Sequence, residues 1–414
     1  MTTNAGNEVD TAVTIFADDS IKELLKSGKI EDIQKIVQEG QSSLPVTASC
    51  FSWSKGQIVG KYEIIRKIGK GGMGVIYLAR HTQLDTLRAL KVLPAESAEE
   101  NPVFAERFTR EARIASQIRH PNVVEVMDVE TDPQLNVSYI VMEYVDGGSL
   151  RQILKGQSKL NIEQAFVTIQ SVASALSVAA EHGIVHRDIK PDNIMFTKQG
   201  GVKLADLGIA KKDDEDDNLT KTNVMMGTPA YLSPEQVENP KAVDIRSDIY
   251  SLGATFYEML TGQTPYPGKT SYDILRKIFS DPVPDPRSVN PEIPGEIASV
   301  VMKMIAKEPQ KRYQTPAQLL EALAKIIPPL SDTNMQMIIK SIINIKGDSS
   351  SEYTSSNSVF TGTIYKMRKR EQQKKVFLWT VCACLLLVLC GVLGTFTVRK
   401  TMKNKAAPSG KVTE

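Results

Sequence analysis

The stretch HGIVHRDIKPDNIMF, residues 182–196, decides how this chain is read. It sets Asp188, Lys190 and Asn193 within six residues, beside His186 and Arg187. A carboxylate accepts a hydroxyl proton. An ammonium two residues on holds a phosphoryl group in transfer, and a side-chain amide oxygen ligates Mg2+. Shortly after, VKLADLGIA (202–210) places Asp206 behind an apolar run and ahead of Gly208, adding a second hard-oxygen ligand. Few protein oxygens completed by phosphate oxygens are what a nucleotide-bound Mg2+ takes.

Upstream, IGKGGMGVIYLA (68–79) carries Gly69, Gly71 and Gly74 as G-x-G-x-x-G. A dinucleotide-binding version opens a helix. Here the flanks alternate, with Tyr62, Ile64 and Ile68 before and Val75, Tyr77 and Ala79 after. That pattern predicts a strand, a glycine turn and a second strand, with backbone N–H groups free to lie over phosphate oxygens. Taken alone, the motif fits an ordinary glycine-rich hairpin equally well. Lys91 follows in LRALKVLP (87–94) and Glu111 in the helical stretch FAERFTREARIASQI (104–118). A lysine there reaches phosphates as a point charge, though an isolated Lys or Glu is most often a solvated surface charge. A second phosphate-loop candidate, Gly262 to Lys269 and Thr270, fails on spacing and carries Pro265 and Pro267, so it reads as a loop.

Taken together, these motifs resemble the eukaryotic-like (Hanks-type) serine/threonine protein kinases. The likeness runs from about Tyr62 to Ile327 in family order: the glycine loop, Lys91, Glu111, HRDIKPDN, DLG, then GTPAYLSPE with Thr228 and Glu235, DIRSDIYSLG with Asp248, and Arg312 in KEPQKRY. The resemblance implies an α+β, bilobal fold, with a small β-rich N-lobe and a larger, mostly helical C-lobe. It implies ATP and Mg2+ as cofactors, with Mn2+ as an alternative. Nucleotide contacts are expected from Ile68, Gly69, Lys70, Gly71, Gly72, Met73, Gly74, Val75 and Ile76, and from Lys91 paired with Glu111. The hinge backbone at Glu143 and Val145 is expected to meet the adenine, behind a gatekeeper Met142. Asp188 is expected to orient and deprotonate the substrate hydroxyl, Lys190 to steady the γ-phosphoryl group, and Asn193 and Asp206 to hold the metal. Arg312 is expected to pair with Glu235.

DLG for DFG, SPE for APE and HRDI for HRDL leave every charged position filled. An active enzyme is therefore expected, the alternative being a catalytically silent ATP-binding scaffold. Lys190 and Thr228 match the Ser/Thr-specific pattern. In the family an arginine placed like Arg187 meets an activation-loop phosphate, so Thr220 and Thr222 are expected autophosphorylation sites. The acidic run Asp213–Asp217 reads as a solvated patch.

The rest of the chain sets the context. Its 414 residues exceed one minimal domain. The formal net charge of +2 gives no electrostatic case for nucleic acid. Three of the four cysteines, Cys382, Cys384 and Cys390, fall in one apolar run, which argues against a disulfide framework. The four histidines show no metal-ligand spacing. No signal peptide is read at the acidic, polar N-terminus. Residues 1–50 read as an extension with a helical pattern over 20–40, broken at Gly28, and 41–56 as a turn-rich linker. Residues 328–375 read as a Ser-rich juxtamembrane linker holding a helix candidate at Met335–Ile345.

Residues 376–398 contain no charge. At about 1.5 Å each they span roughly 34 Å as a helix, against a hydrocarbon core of about 30 Å. A single transmembrane helix is expected there, with a short basic tail at 399–414. Basic residues flank the span too evenly to orient it. Because ATP is cytosolic, the catalytic domain is expected to face the cytoplasm and the tail the other side, with no sensor domain beyond. The partners expected are protein substrates, the membrane and a second copy of the chain in a homodimer for trans-autophosphorylation.

Overall fold

The computed structural model describes residues 52–71, 74–93, 102–132, 137–206, 229–328 and 330–344, with single positions at 362, 369 and 373. Within these, the side chains of Lys70, Glu111 and residues 102–107 lie outside the description. So do Gly72 and Met73, Thr220, Thr222 and Thr228, the acidic run 213–217, the N-terminal extension, the Ser-rich run, the apolar span 376–398 and the tail.

The N-lobe is a six-stranded antiparallel sheet. Its strands are β1 (Ile58–Val59), β2 (Tyr62–Gly71), β3 (Gly74–His81), β4 (Leu87–Leu93), β5 (Val126–Asp132) and β6 (Val137–Glu143), in the order β1-β2-β3-β4-β6-β5. Helix α1 (Pro102–Ala115) lies between β4 and β5 in the chain. Side chains alternate across a sheet, and β4 uses both faces. Leu90 and Val92 join Trp53, Tyr62, Tyr77 and Tyr139 in one cluster. Leu93 joins Ile140 with Phe108 and Ala112 of α1 in another. Lys91 shares the face of Leu93 by that alternation, so a charged group is built into the helix side of the sheet, 6% exposed.

The glycine motif is the predicted hairpin: Gly71 pairs with Gly74, and Gly69 with Ile76. Gly74 is required by close approach, since a Cβ there would stand 2.0 Å from the Val92 carbonyl oxygen. The linker reading of 41–56 fails at its end. Trp53 is buried, its backbone N–H donates to Tyr77 Oη at 3.0 Å, and its ring meets Tyr139 edge-on at 5.7 Å. Two aromatics, Phe51 and Trp53, among turn residues make no sustained periodicity, which is why the pattern hides the burial of Trp53.

The C-lobe contains α2 (Leu150–Gln157), α3 (Ile162–Glu181), the hairpin β7 (Ile194–Phe196) and β8 (Val202–Leu204), α4 (Pro234–Glu238), α5 (Ile245–Thr261), α6 (Ser271–Ser280), α7 (Gly295–Met304), α8 (Pro316–Ile326) and α9 (Asp332–Asn344). Helix α3 starts on a capping box: Asn161 Oδ1 accepts the Gln164 N–H at 2.8 Å, and Gln164 Oε1 accepts the Asn161 N–H at 3.1 Å. Its apolar residues run round the whole helix, as a core helix requires. Phe166, Val167, Ile169, Val172 and Leu176 are all inaccessible. Each such burial contributes about 1.5–3 kcal/mol. Among the described residues α3 is the helix long and apolar enough to cross a membrane, yet it lies packed against α5, α8 and α9. The rejected phosphate loop at 262–270 is indeed a connection, between α5 and α6. The helix candidate at 335–345 is found as α9, and it packs on α3 where the sequence suggested free linker.

One buried ion pair ties the lobe's later elements together. Arg312, whose side chain is wholly inaccessible, meets Glu235 through two bonds of 2.6 and 2.8 Å. Its remaining donors reach the carbonyls of Ala306, Arg246 and Lys307, so all five are used. Ser247 Oγ adds a 2.6 Å bond to Glu235. Burial would push the Glu235 carboxyl up, but the guanidinium and the hydroxyl hold it below its ordinary 4.5.

Breaking a buried pair strands a charge, so Arg312→Ala should cost about 3–5 kcal/mol in chemical denaturation. Arg312→Lys should recover little, because an ammonium cannot supply that planar set of donors. The Glu235 contribution is fully present above pH 4.5 and is lost as pH falls through the depressed folded value. The stability gap between the natural protein and Glu235→Gln should therefore be widest near neutrality and close in acid.

Candidate active site

The site is assembled around a loop whose backbone is held from below. Asp248 on α5, 1% exposed, accepts the N–H of His186 and of Arg187 on its two carboxylate oxygens, each at 2.7 Å. Burial pushes its carboxyl up to about 7, against the pull of those two amides. Arg187 holds a left-handed φ of +64°. His186 is fully buried. Its Nδ1 accepts the Asp188 N–H at 3.3 Å, so the proton sits on Nε2, which donates to the Ala205 carbonyl at 3.0 Å. Ala205 N–H in turn donates to the Asn193 carbonyl at 2.8 Å. The HRD segment is thereby stitched to Ala205, the residue before Asp206.

On that unit the polar side chains converge. Lys190 Nζ lies 3.0 Å from Asp188 Oδ2. Asn193 Nδ2 donates to the Asp188 carbonyl at 2.8 Å and to Oδ2 at 3.1 Å. With its amide nitrogen used in this way, Asn193 keeps Oδ1 as the ligand atom a hard cation takes. Asp206 also has a left-handed φ, +53°. Its Oδ1 meets Lys91 Nζ at 2.9 Å across the lobes. The Lys91 ammonium, opposed by burial, holds the Asp206 carboxyl below its ordinary range. Behind this pair lies a cavity lined by Ala112, Val126, Ile140, Met142 and Leu204, with Lys91 and Asp206 at its polar end.

The hinge joins the lobes with further bonds. Lys203 Nζ meets Glu143 Oε2 at 2.7 Å. Glu143 N–H donates to the Glu125 carbonyl at 2.9 Å. Val124 N–H and the Leu204 carbonyl bond at 2.9 Å, and Leu204 N–H donates to Asn122 at 2.8 Å. Gly69 on β2 pairs with Ile76 on β3, Ile68 falls at a register shift between Lys67 and Gly69, and across the next seam Val75 pairs with Val92 and Ile76 with Lys91 of β4. The structure thus brings Asp188, Lys190, Asn193, Asp206 and Lys91 together. Whether Glu111 meets Lys91 falls outside the described side chains, as do Gly72 and Met73 at the loop tip.

Sequence reasoning passed over a second polar cluster. Arg151 on α2 bonds Glu258 Oε1 of α5 at 2.9 Å, Asp192 Oδ2 at 3.3 Å, and the Tyr231 hydroxyl. Tyr231 Oη donates to Glu258 Oε2 at 2.5 Å. Gln236 Nε2 donates to the Arg187 carbonyl at 2.9 Å. Arg151, Asp192, Tyr231, Gln236 and Glu258 come from five separate elements, and no spacing in the chain announces them.

Comparison with known proteins agrees with this geometry. Residues 62–323 match the family described as "Protein kinase domain". A probable serine/threonine-protein kinase of Clostridium perfringens is 40% identical over 272 residues, 66% of this chain and 39% of that protein. Serine/threonine-protein kinase PknB of Mycobacterium tuberculosis is 40% identical over 64% of this chain and 43% of its own length. PrkC of Bacillus subtilis is 33% identical over 81% of this chain and 53% of its own. The chain therefore spans about half or less of the curated relatives it matches. The crystal structure of a Mycobacterium tuberculosis PknI kinase domain superposes with a TM-score of 0.51 at 26% identity, covering 66% of this chain and 99% of that one. With its lysine–aspartate bridge across the lobes, its HRD segment tied to Ala205 and the family match over residues 62–323, this chain belongs to the eukaryotic-like serine/threonine protein kinase family.

Proposed function

We propose that the chain transfers the γ-phosphoryl group of Mg-ATP to serine and threonine hydroxyls of proteins. The observation that carries this reading is the convergence of Asp188, Lys190 and Asn193 beside an Asp206 bridged to Lys91. Asp188 takes the proton of the acceptor hydroxyl as its oxygen bonds to the γ-phosphorus. The bond from that phosphorus to the β,γ-bridging oxygen breaks, and ADP leaves. Lys190, within reach of Asp188, supplies positive charge to the transferring group. Lys91 positions the α- and β-phosphates, with Glu111 as its second partner.

Asn193 and Asp206 hold the divalent ion, Mg2+ or Mn2+. When bound, it neutralises charge that develops on the phosphate oxygens. Two protein oxygens suit a cation that keeps water and phosphate as its other ligands. Residues Ile68, Gly69, Lys70, Gly71, Gly72, Met73, Gly74, Val75 and Ile76 cover the nucleotide. Since the Glu143 N–H is already bonded, that hinge residue has only its carbonyl to offer the adenine, while Val145 offers backbone groups. Every charged position the chemistry needs is filled, so nothing favours the silent-scaffold alternative.

We further propose that residues 376–398 anchor the protein, with the kinase domain cytoplasmic and the basic tail opposite, and that two copies phosphorylate one another at Thr220 or Thr222. The support is the uncharged length of that segment and the presence of Arg187 directly before Asp188.

Asp188→Asn should lower phosphate transfer from radiolabelled ATP to a generic basic protein by about 10²–10⁴-fold. Equal rates would overturn the assignment of the base. Mass spectrometry of the active protein should find phosphate on Thr220 or Thr222; full activity without it refutes the loop proposal. In cell fractionation the full chain should sediment with membranes. A version lacking residues 376–398 should stay in the supernatant, and sedimentation of both would remove the anchor.

A further inference from the structure

Helix α9 lies beyond the matched kinase region, which ends at residue 323. It is nevertheless part of the lobe. Ile338, Ile339 and Ile342 are buried, and Ser341 Oγ accepts from Gln164 Nε2 of α3 at 3.0 Å. Two further contacts bear on the active site. The Gln336 carbonyl oxygen lies 2.4 Å from where a Cβ would stand on Gly200, in the turn between β7 and β8. Ile343 Cδ1 lies 3.1 Å from the equivalent point on Gly147, in the segment leaving the hinge. Glycine is required at Gly200 by the α9 backbone itself, whereas at Gly147 it is required by the Phe196 carbonyl oxygen at 2.4 Å, with Ile343 packed just beyond.

Those two places are joined by hydrogen bonds. Gly147 N–H donates to the Phe196 carbonyl at 2.7 Å, Phe196 N–H to the Gly148 carbonyl at 2.9 Å, and Lys198 N–H to Asp146 Oδ1 at 2.8 Å. The hinge exit and β7 are therefore one backbone unit. β7 begins at the residue after Asn193, and β8 ends two residues before Asp206. α9 touches the turn of that hairpin at one end and the hinge exit at the other.

We propose that α9 is a positioning element of the nucleotide site, resting on the Mg-ATP reading above. It braces the hairpin that carries Asn193 and Asp206 against the segment that follows the adenine-facing backbone. Small displacements there cost productive geometry, because the metal ligands and the hinge must address one nucleotide together. Ile343 is the side chain through which the brace reaches the hinge exit.

The test uses the full chain. Ile343→Val removes only the Cδ1 that reaches Gly147, and Ile343→Ala removes more. The KM for Mg-ATP should rise in that order by about 2- to 10-fold, with kcat within twofold and the KM for the protein acceptor unchanged. Amide hydrogen exchange over residues 143–149 should quicken in both. Leu319→Ala, at a fully buried position of α8, should lower the unfolding temperature while leaving the nucleotide KM alone. An unchanged nucleotide KM in both Ile343 variants, or an equal rise in Leu319→Ala, overturns the proposal. Unchanged exchange over 143–149 does so as well. If the natural protein itself binds no Mg-ATP, the reading of the site falls first and this inference with it.

Discussion

Two amide hydrogen bonds to one buried carboxylate govern this molecule. Asp248 sits inside the C-lobe on α5 and takes the N–H groups of His186 and Arg187. Arg187 adopts a left-handed backbone, a conformation that costs an ordinary residue about 1–3 kcal/mol. Bonds from backbone amides to a buried carboxylate are among the stronger protein hydrogen bonds and offset that cost. With the loop so held, His186 has its tautomer set by Asp188 N–H and ties the loop to Ala205. Asp188, Lys190 and Asn193 owe their mutual placement to this anchor.

The second constraint crosses the lobes. Lys91 is carried on a strand, Asp206 on the segment after β8, and the two meet at 2.9 Å. A buried ammonium is expensive unless it is paired, so the sheet tolerates Lys91 on its helix-facing side because a carboxylate is delivered to it. The Lys203–Glu143 pair and the bonds between residues 122–124 and Leu204 hold the same seam from the hinge side. The site is thus a product of lobe docking. Neither lobe contains it alone.

Elsewhere in the C-lobe, charge is organised for rigidity. Arg312 spends all five donors, and Arg151 joins α2, α5, Tyr231 and Asp192. Both clusters tie short segments, around Tyr231 and Glu235 and around 306–312, to the helices beside them. Helix α9 serves a similar purpose with apolar contacts, adding Ile343 to the hydrogen bonds that already tie β7 to the hinge exit.

Much of this was legible in the chain itself. The alternation around the glycines declared a hairpin because side chains of a strand must face opposite ways. The density of Asp188, Lys190 and Asn193 declared phosphate chemistry because few other reasons put those groups so close. Lys91 and Asp206 were legible as residues but not as a pair, since 115 positions separate them. Tertiary structure alone decided that Asp248 would anchor the loop, that Trp53 would leave an apparent linker for the core, and that Arg151 would find Glu258 and Tyr231. It also decided that α9 would dock onto α3. Each of these depends on the distance between elements far apart in sequence, and local periodicity carries no information about that distance.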